Sequence, residues 1–171
     1  PAMAPSAIAS KLTKETPREM TLEDIEAVQE AYTHAARRAV EAGFDFVEVL
    51  ACTGYLISEF LSPVTNQRTD EYGGSMENRM RFGLEVIGRV RDVIGPRTAL
   101  GIRVAGNDFM EGGHTNRESA RFARAAEAAG VDAVNVTGGW HETNVPQLTA
   151  NVPAGGFVYL ARGIKEVHGG R

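Results

Sequence analysis

The sequence has little cysteine, no block of basic residues and no long apolar run. Cys52 is the single cysteine among 171 residues, which excludes an intrachain disulfide or a multi-cysteine metal site and is typical of a reducing compartment. A net charge of -4 without a Lys/Arg block favours neither nucleic acid nor an anionic membrane as a partner. No stretch reaches the roughly 18 apolar residues of a spanning helix, and no targeting segment is recognisable at the start. We therefore expect a cytoplasmic protein.

Motifs of nucleotide and redox chemistry are also missing. No GxGxxG follows a predicted strand, and neither GxxxxGK[ST] nor CxxC occurs. The sequence thus supports no dinucleotide fingerprint, P-loop or redox dithiol. What is present, 43% hydrophobic and 23% charged residues, fits one globular domain with a hydrophobic core.

Helical and strand patterns alternate along the chain. The spacing predicts helices over 21–42, 75–94, 115–129 and 157–167, and strands over 45–50, 99–104 and 131–137. Capping boxes mark two helix starts, at Thr21 with Asp24 and at Thr115 with Glu118. This alternation predicts an α/β fold with parallel strands and helical crossovers. Three predicted core strands and four predicted helices are too few for a complete (βα) barrel of TIM type, which takes about 250 residues. Either residues 1–20 and 138–156 supply further strands, or the chain is part of such a barrel. We favour part of a barrel, with residues 1–171 as one partial domain.

The connections are unequal in length. Those from helix to strand are tight, whereas those that leave the strands, residues 51–74, 105–114 and 138–156, are long. Long loops at the carboxyl ends of parallel strands mark the functional face of such folds. The loop 51–74 has about twenty residues without a clear regular element, which is typical of a functional loop.

Tyr55 follows the first predicted strand closely. A phenol held over a cofactor can give a proton to a developing carbanion. The alternative is an amphipathic ring whose hydroxyl is tied to a carbonyl group.

Two more polar residues lie at the same edge. Arg103 is a cation in an otherwise apolar strand, so it needs either an ion pair with Glu48 of the neighbouring strand or an anionic ligand. His141 lies in GGWHE after the third strand, where it could be a filler or a polar group beside a cofactor. It lacks the second histidine of a zinc helix, so no metal site is expected. Cys52 is expected to be a small buried hydrophobe.

The run GYLISEFLSPVTNQRTDEYGGSMENRMRF, residues 54–82, resembles the signature loop of the old yellow enzyme family of FMN-dependent oxidoreductases. MAPSAI, PREMTLEDIE and GIRV extend the resemblance over nearly the whole chain. GYLISEFL and GWHE are most similar to the 2,4-dienoyl-CoA reductase branch.

The resemblance implies an eight-stranded βα barrel that holds FMN and takes electrons from NADH or NADPH for a small unsaturated substrate. It implies that Tyr55 is the proton donor, that His141 is its partner, and that Arg103 lies beside the pyrimidine edge of the flavin. An iron-sulfur cluster and FAD would be compatible with a longer parent chain.

The sequence departs from the family at Leu50-Ala51-Cys52-Thr53, where most members have a His-Gly-Ala-His type stretch that binds a substrate carbonyl. This departure makes simple enone reduction doubtful, and it fits the dienoyl-CoA branch or amine oxidation. The family's first strands and its phosphate-binding strands would lie outside residues 1–171. An inactive half-barrel that self-associates through its unpaired strand edges, as a homo-oligomer, is therefore an alternative. A barrel lyase with His141 as its base is a further alternative.

Overall fold

The computed structural model describes residues 2–143 and 152–167, which form five strands and five helices. In chain order these are β1 Met3–Ala4, β2 Arg18–Glu19, α1 Leu22–Glu41, β3 Phe46–Ala51, α2 Leu56–Leu61, α3 Met76–Ile94, β4 Ala99–Ala105, α4 Asn116–Ala128, β5 Ala133–Thr137 and α5 Val158–Val167. No helix in this described part is long and apolar enough to span a membrane.

Three strands form the central parallel sheet, in the order β3-β4-β5. Arg103 in the middle strand pairs with Leu50 of β3 and with Asn135 of β5. The predicted parallel sheet of three core strands is therefore confirmed. The N-terminal segment contributes only β1 and β2, which pair with each other in a separate two-stranded sheet, and residues 144–151 of the predicted loop 138–156 lie outside the described residues.

The two faces of the sheet differ in burial. On one face, the side chains of Val49, Ile102 and Val104 are almost completely buried under the helices. On the other face, Phe46 and Leu50 are exposed. In a closed βα barrel the helices cover the outer face and the inner face turns toward the barrel axis. The sheet has the layout of one sector of such a barrel.

The loop 51–74 contains a helix that the sequence analysis did not predict. Helix α2 packs its apolar residues on α3, and the rings of Phe60 and Phe82 stack with centroids 4.3 Å apart. Six residues are too few for a helical period to stand out in the sequence, so the structure has five helices where four were predicted.

The predicted helix starts are correct. The Thr21 hydroxyl accepts the Asp24 N–H while the Asp24 carboxylate accepts the Thr21 N–H, and Thr115 and Glu118 repeat the arrangement. Each box satisfies backbone donors that a helix start leaves without partners. The caps thereby fix where α1 and α4 begin.

Candidate functional site

Tyr55 and His141 come together at the carboxyl ends of the strands. Their rings meet edge to face, with centroids 4.9 Å apart and planes at 83°. The contact is set by the backbone, because Thr53 and Trp140 form a parallel bridge that continues the sheet beyond β3. The sequence placed both residues after strands, and the structure brings them into contact.

Two residues with positive φ turn the chain from β3 into α2. Thr53 has φ 58° and Gly54 has φ 92°, a conformation that favours glycine. A Cβ on Gly54 would lie 3.0 Å from Cε2 of Trp140 and 3.3 Å from Nδ1 of His141. Glycine at this position therefore allows the indole and the imidazole to approach the backbone beside Tyr55.

Ser58 secures the turn from within α2. Its Oγ accepts the Gly54 N–H at 2.8 Å and donates to the Tyr55 carbonyl oxygen at 2.8 Å. Tyr55 itself is the N-cap residue of α2. The backbone of Tyr55 is thus held on both sides while its ring projects from the helix start.

The Tyr55 side chain is 51% exposed. Among residues 2–143 and 152–167, its hydroxyl makes no hydrogen bond, so the alternative in which a carbonyl group ties it does not hold for the described part of the chain. A phenol in this position is free to meet a ligand.

Arg103 lies on the uncovered face of β4 and is partly buried. The ion pair between Arg103 and Glu48, one of the two alternatives that the sequence left open, is not formed: no carboxylate of the described residues makes a salt bridge with Arg103. Leu50 is the direct neighbour of Arg103, whereas Glu48 pairs with Gly101, two residues away along the same face. The cation lies on the uncovered face of the sheet and has no salt-bridge partner among residues 2–143 and 152–167.

Cys52 is buried, as expected. Burial raises the pKa of its thiol, and the positive charge of Arg103 acts in the opposite direction. A buried neutral thiol behaves as a small apolar side chain.

A cavity of about 280 Å³ lies beside the Tyr55–His141 contact. Its walls come from the N-terminal segment, from α2 and from the residues that follow β5; they include Ile8, Ser10, Lys11, Gly54, Glu59, Trp140, His141 and Glu142. The carboxylate of Glu142 accepts the Ser10 hydroxyl and the Lys11 N–H, each at 2.6 Å. This carboxylate fastens the N-terminal segment over the cavity.

Glu59 is a residue that the sequence analysis missed. Its carboxyl group lines the cavity, and burial, followed by the charge of Glu142, raises its pKa to about 7. The one signal in the sequence is its position four residues after Tyr55, which puts it within about one helical turn of Tyr55.

Asp108 and His114 stabilise the loop 105–114. The Asp108 carboxylate accepts the backbone N–H of His114 at 2.7 Å. Burial raises the pKa of Asp108 to about 6 and lowers the pKa of His114 to about 4. Both side chains lie inside the fold, so their role in the described structure is to shape the loop.

The remainder of the signature loop is a scaffold. Arg68, whose side chain is buried, donates to the carbonyl oxygens of Pro5 and Met20 at 3.0 and 2.6 Å and pairs with Asp70. The two hydrogen bonds from Arg68 tie the loop to the N-terminal segment. No group of three or more His, Cys, Asp or Glu residues suited to a metal ion occurs in the described residues.

The chain is similar to proteins of known family. Residues 1–155 match the NADH:flavin oxidoreductase / NADH oxidase family. A metal reductase of Desulforamulus reducens is 58% identical over 97% of this chain and 25% of its own length, and an NADH oxidase of Thermoanaerobacter brockii is 40% identical over 96% and 26%. The chain spans about a quarter of the length of these two relatives.

Solved structures show the same relationship. A 2-naphthoyl-CoA reductase bound to 2-naphthoyl-CoA superimposes with a TM-score of 0.92 at 40% identity, over 97% of this chain and 25% of that one. Histamine dehydrogenase from Rhizobium sp. 4-9 gives 0.81 at 32% identity, over 96% and 24%.

Proposed function

Since the chain belongs to the NADH:flavin oxidoreductase / NADH oxidase family and forms part of a TIM-type barrel, we propose that the full-length protein is an FMN-dependent oxidoreductase. It takes electrons from NADH or NADPH and reduces an unsaturated small molecule of the 2,4-dienoyl-CoA or enone-like type. Tyr55 donates the proton. The observation that carries this proposal is the exposed Tyr55 ring held by His141 at the carboxyl ends of the strands.

Arg103 fits the cofactor. Its guanidinium group lies on the uncovered face without a salt bridge to any described residue, and a cation inside a barrel needs an anionic or electron-rich partner. When bound, FMN supplies transfer of a hydride between the nicotinamide and the substrate. Arg103 is the residue of this chain that would hold the flavin ring and stabilise negative charge on it.

Tyr55 and His141 supply the proton chemistry. Addition of a hydride to a conjugated double bond leaves negative charge on the substrate, which a positioned acid must neutralise. The Tyr55 hydroxyl has no described protein partner that would compete for its proton. The His141 ring packs perpendicular to the phenol ring, and this contact helps to orient Tyr55.

The substrate class follows from the stretch before Gly54. Ala51, Cys52 and Thr53 are buried and none of them is a histidine that could bind an enone carbonyl. A thioester such as a dienoyl-CoA or an aromatic acyl-CoA therefore suits the site better than a simple enone. The 2-naphthoyl-CoA reductase neighbour supports this class.

Amine oxidation is the second candidate function. The similarity to histamine dehydrogenase favours it, as do the carboxyl groups of Glu59 and Glu142 in the cavity beside His141, because carboxylates suit a cationic amine. As an isolated piece, residues 1–171 would be inactive. They would also self-associate, since Phe46 and Leu50 are exposed on the uncovered face of the sheet.

The test uses the full-length protein in two anaerobic half-reactions. NADH or NADPH should first bleach the bound flavin, and an enoyl-type thioester should then restore its colour with formation of the saturated product. Bleaching of the oxidised flavin by a primary amine in the absence of NADH, with oxidation of the amine, would instead favour the second candidate. A protein that retains no flavin would overturn both.

A further inference from the structure

Glu59 is the one ionisable residue of α2, and it lies one helical turn after Tyr55. Its backbone N–H donates to the Tyr55 carbonyl oxygen at 2.9 Å. Glu59 therefore lies within one helical turn of Tyr55. It lines the cavity that Gly54 and His141 also line, and this cavity is beside the contact of His141 with Tyr55.

The two glutamates of this cavity have different surroundings. Glu142 accepts hydrogen bonds from Ser10, Lys11 and Leu12, which stabilise its ionised form, and its pKa is lowered. The Glu59 carboxyl group accepts no hydrogen bond from residues 2–143 and 152–167, and the residue is half-buried. A carboxyl group without donors is better accommodated with its proton on.

Four titratable or charged groups face Glu59 across the cavity. They come from the N-terminal segment and from the residues after β5, and they are Lys11, Glu15, His141 and Glu142. Of these, the Glu142 carboxylate adds to burial in raising the pKa of Glu59 to about 7. At neutral pH the Glu59 carboxyl group can therefore both give and accept a proton.

We propose that Glu59 is a positioning residue for proton supply, whose carboxyl group passes protons from the solvent in the cavity to His141 and, through it, to Tyr55. The inference rests on the proposed role of Tyr55. In each turnover the Tyr55 O–H bond breaks as the substrate takes its proton, and an N–H of His141 restores it. The O–H of Glu59 then restores that N–H, and Glu59 takes a proton from solvent. These steps move protons alone, while the hydride comes from NADH or NADPH.

The test compares Glu59→Gln with Glu111→Gln in the full-length protein. Glu111 is an exposed glutamate of the loop 105–114 and does not line this cavity. The turnover rate of Glu111→Gln and its dependence on pH should therefore equal those of the wild type. Glu59→Gln should slow turnover about tenfold or more at pH 6, where the Glu59 carboxyl group carries its proton, and remove the dependence of turnover on a group titrating near pH 7. Reduction of the flavin by NADH, which needs no proton from Tyr55, should keep its rate.

Two further variants separate proton supply from structure. Glu59→Asp should recover part of the rate, and Glu59→Ala should be rescued by added acetate, which can enter a cavity of about 280 Å³. Loss of packing alone would give no rescue that depends on acetate concentration. Folding is checked by the flavin spectrum and by the melting temperature.

Tyr55→Phe distinguishes this inference from the proposed function. If Tyr55→Phe loses product formation while Glu59→Gln keeps both its rate and its pH profile, the proton-supply role of Glu59 is wrong and the role of Tyr55 stands. If neither variant changes product formation, both are wrong.

Discussion

The Tyr55 ring meets the His141 ring edge-on, although one follows β3 and the other follows β5, on opposite sides of the middle strand. The bridge between Thr53 and Trp140 extends the sheet past the strand ends and makes the contact. A tyrosine that starts a helix is thus coupled to the third strand of the sheet. The geometry of the proposed proton donor depends on the backbone of two distant segments.

Replacement of Tyr55 by Phe should separate the two half-reactions. We expect product formation to fall by about 10²-fold or more, since a positioned general acid contributes on that order, while flavin reduction by NADH is unchanged. Stopped-flow absorbance measures both steps. Tyr159→Phe, a change at an exposed tyrosine of α5, is the control, and equal rates for Tyr55→Phe and wild type would contradict the assigned role.

Gly54 should be the glycine most sensitive to alanine near the site. A side chain there meets Trp140 at 3.0 Å and must adopt φ 92°, and strained φ values cost about 1–3 kcal/mol. Gly54→Ala should lower the melting temperature and weaken product formation. Gly88→Ala is the matched control, because a Cβ at this helical position meets nothing within 4 Å and should stabilise α3 by about 0.5–1 kcal/mol.

Arg103 should control flavin retention. Hydrogen bonds to charged groups contribute about 1.5–3 kcal/mol, so Arg103→Ala is expected to weaken FMN binding by about tenfold or more. Titration of the apoprotein with FMN, followed by quenching of flavin fluorescence, gives the affinity. Arg97→Ala, a change at an exposed arginine, is the control and should bind FMN with the affinity of the wild type. Unchanged affinity in Arg103→Ala would remove Arg103 from the cofactor site.

His114 should make stability fall in mild acid. Its pKa is lowered from 6.5 to about 4 by burial, so the unfolded chain binds a proton between these pH values that the folded protein excludes. The contribution of the neutral His114 imidazole to the free energy of unfolding is fully present above about pH 6.5. It is lost as the pH falls toward 4, a change on the order of 3 kcal/mol.

His114→Gln should flatten this part of the stability curve, measured as melting temperature against pH. Asp108 acts in the opposite sense, since its raised pKa favours the folded state at low pH, so the comparison is between variant and wild type at each pH. The same slope in His114→Gln and wild type would contradict the assignment.

Local signals predicted most of the fold. Capping residues such as Thr21 and Thr115 gave the helix starts, and apolar runs gave the three strands of the parallel sheet. The signature run identified the family, and the comparisons confirm it. Helix α2 was missed because six residues carry too little periodicity.

The site was only partly predictable. The loop lengths predicted which edge of the sheet carries the site. Tyr55, Arg103 and His141 were therefore the candidate residues, because they lie at that edge. The sequence put Glu48 and Arg103 in neighbouring strands but did not specify whether their side chains meet, and the described structure has no salt bridge between them. Glu59 was missed because its environment is made by the N-terminal segment and by Glu142, which are far from it in the chain.

The measurement that tests the central claim most directly is the visible spectrum of the full-length protein, recorded anaerobically before and after NADH or NADPH and then after an enoyl-type thioester. We predict the absorption of an oxidised flavin, its loss on addition of the nicotinamide, and its return with the thioester in the wild type but only slowly in Tyr55→Phe. A colourless protein, or a flavin that neither nicotinamide reduces, would contradict the proposed function.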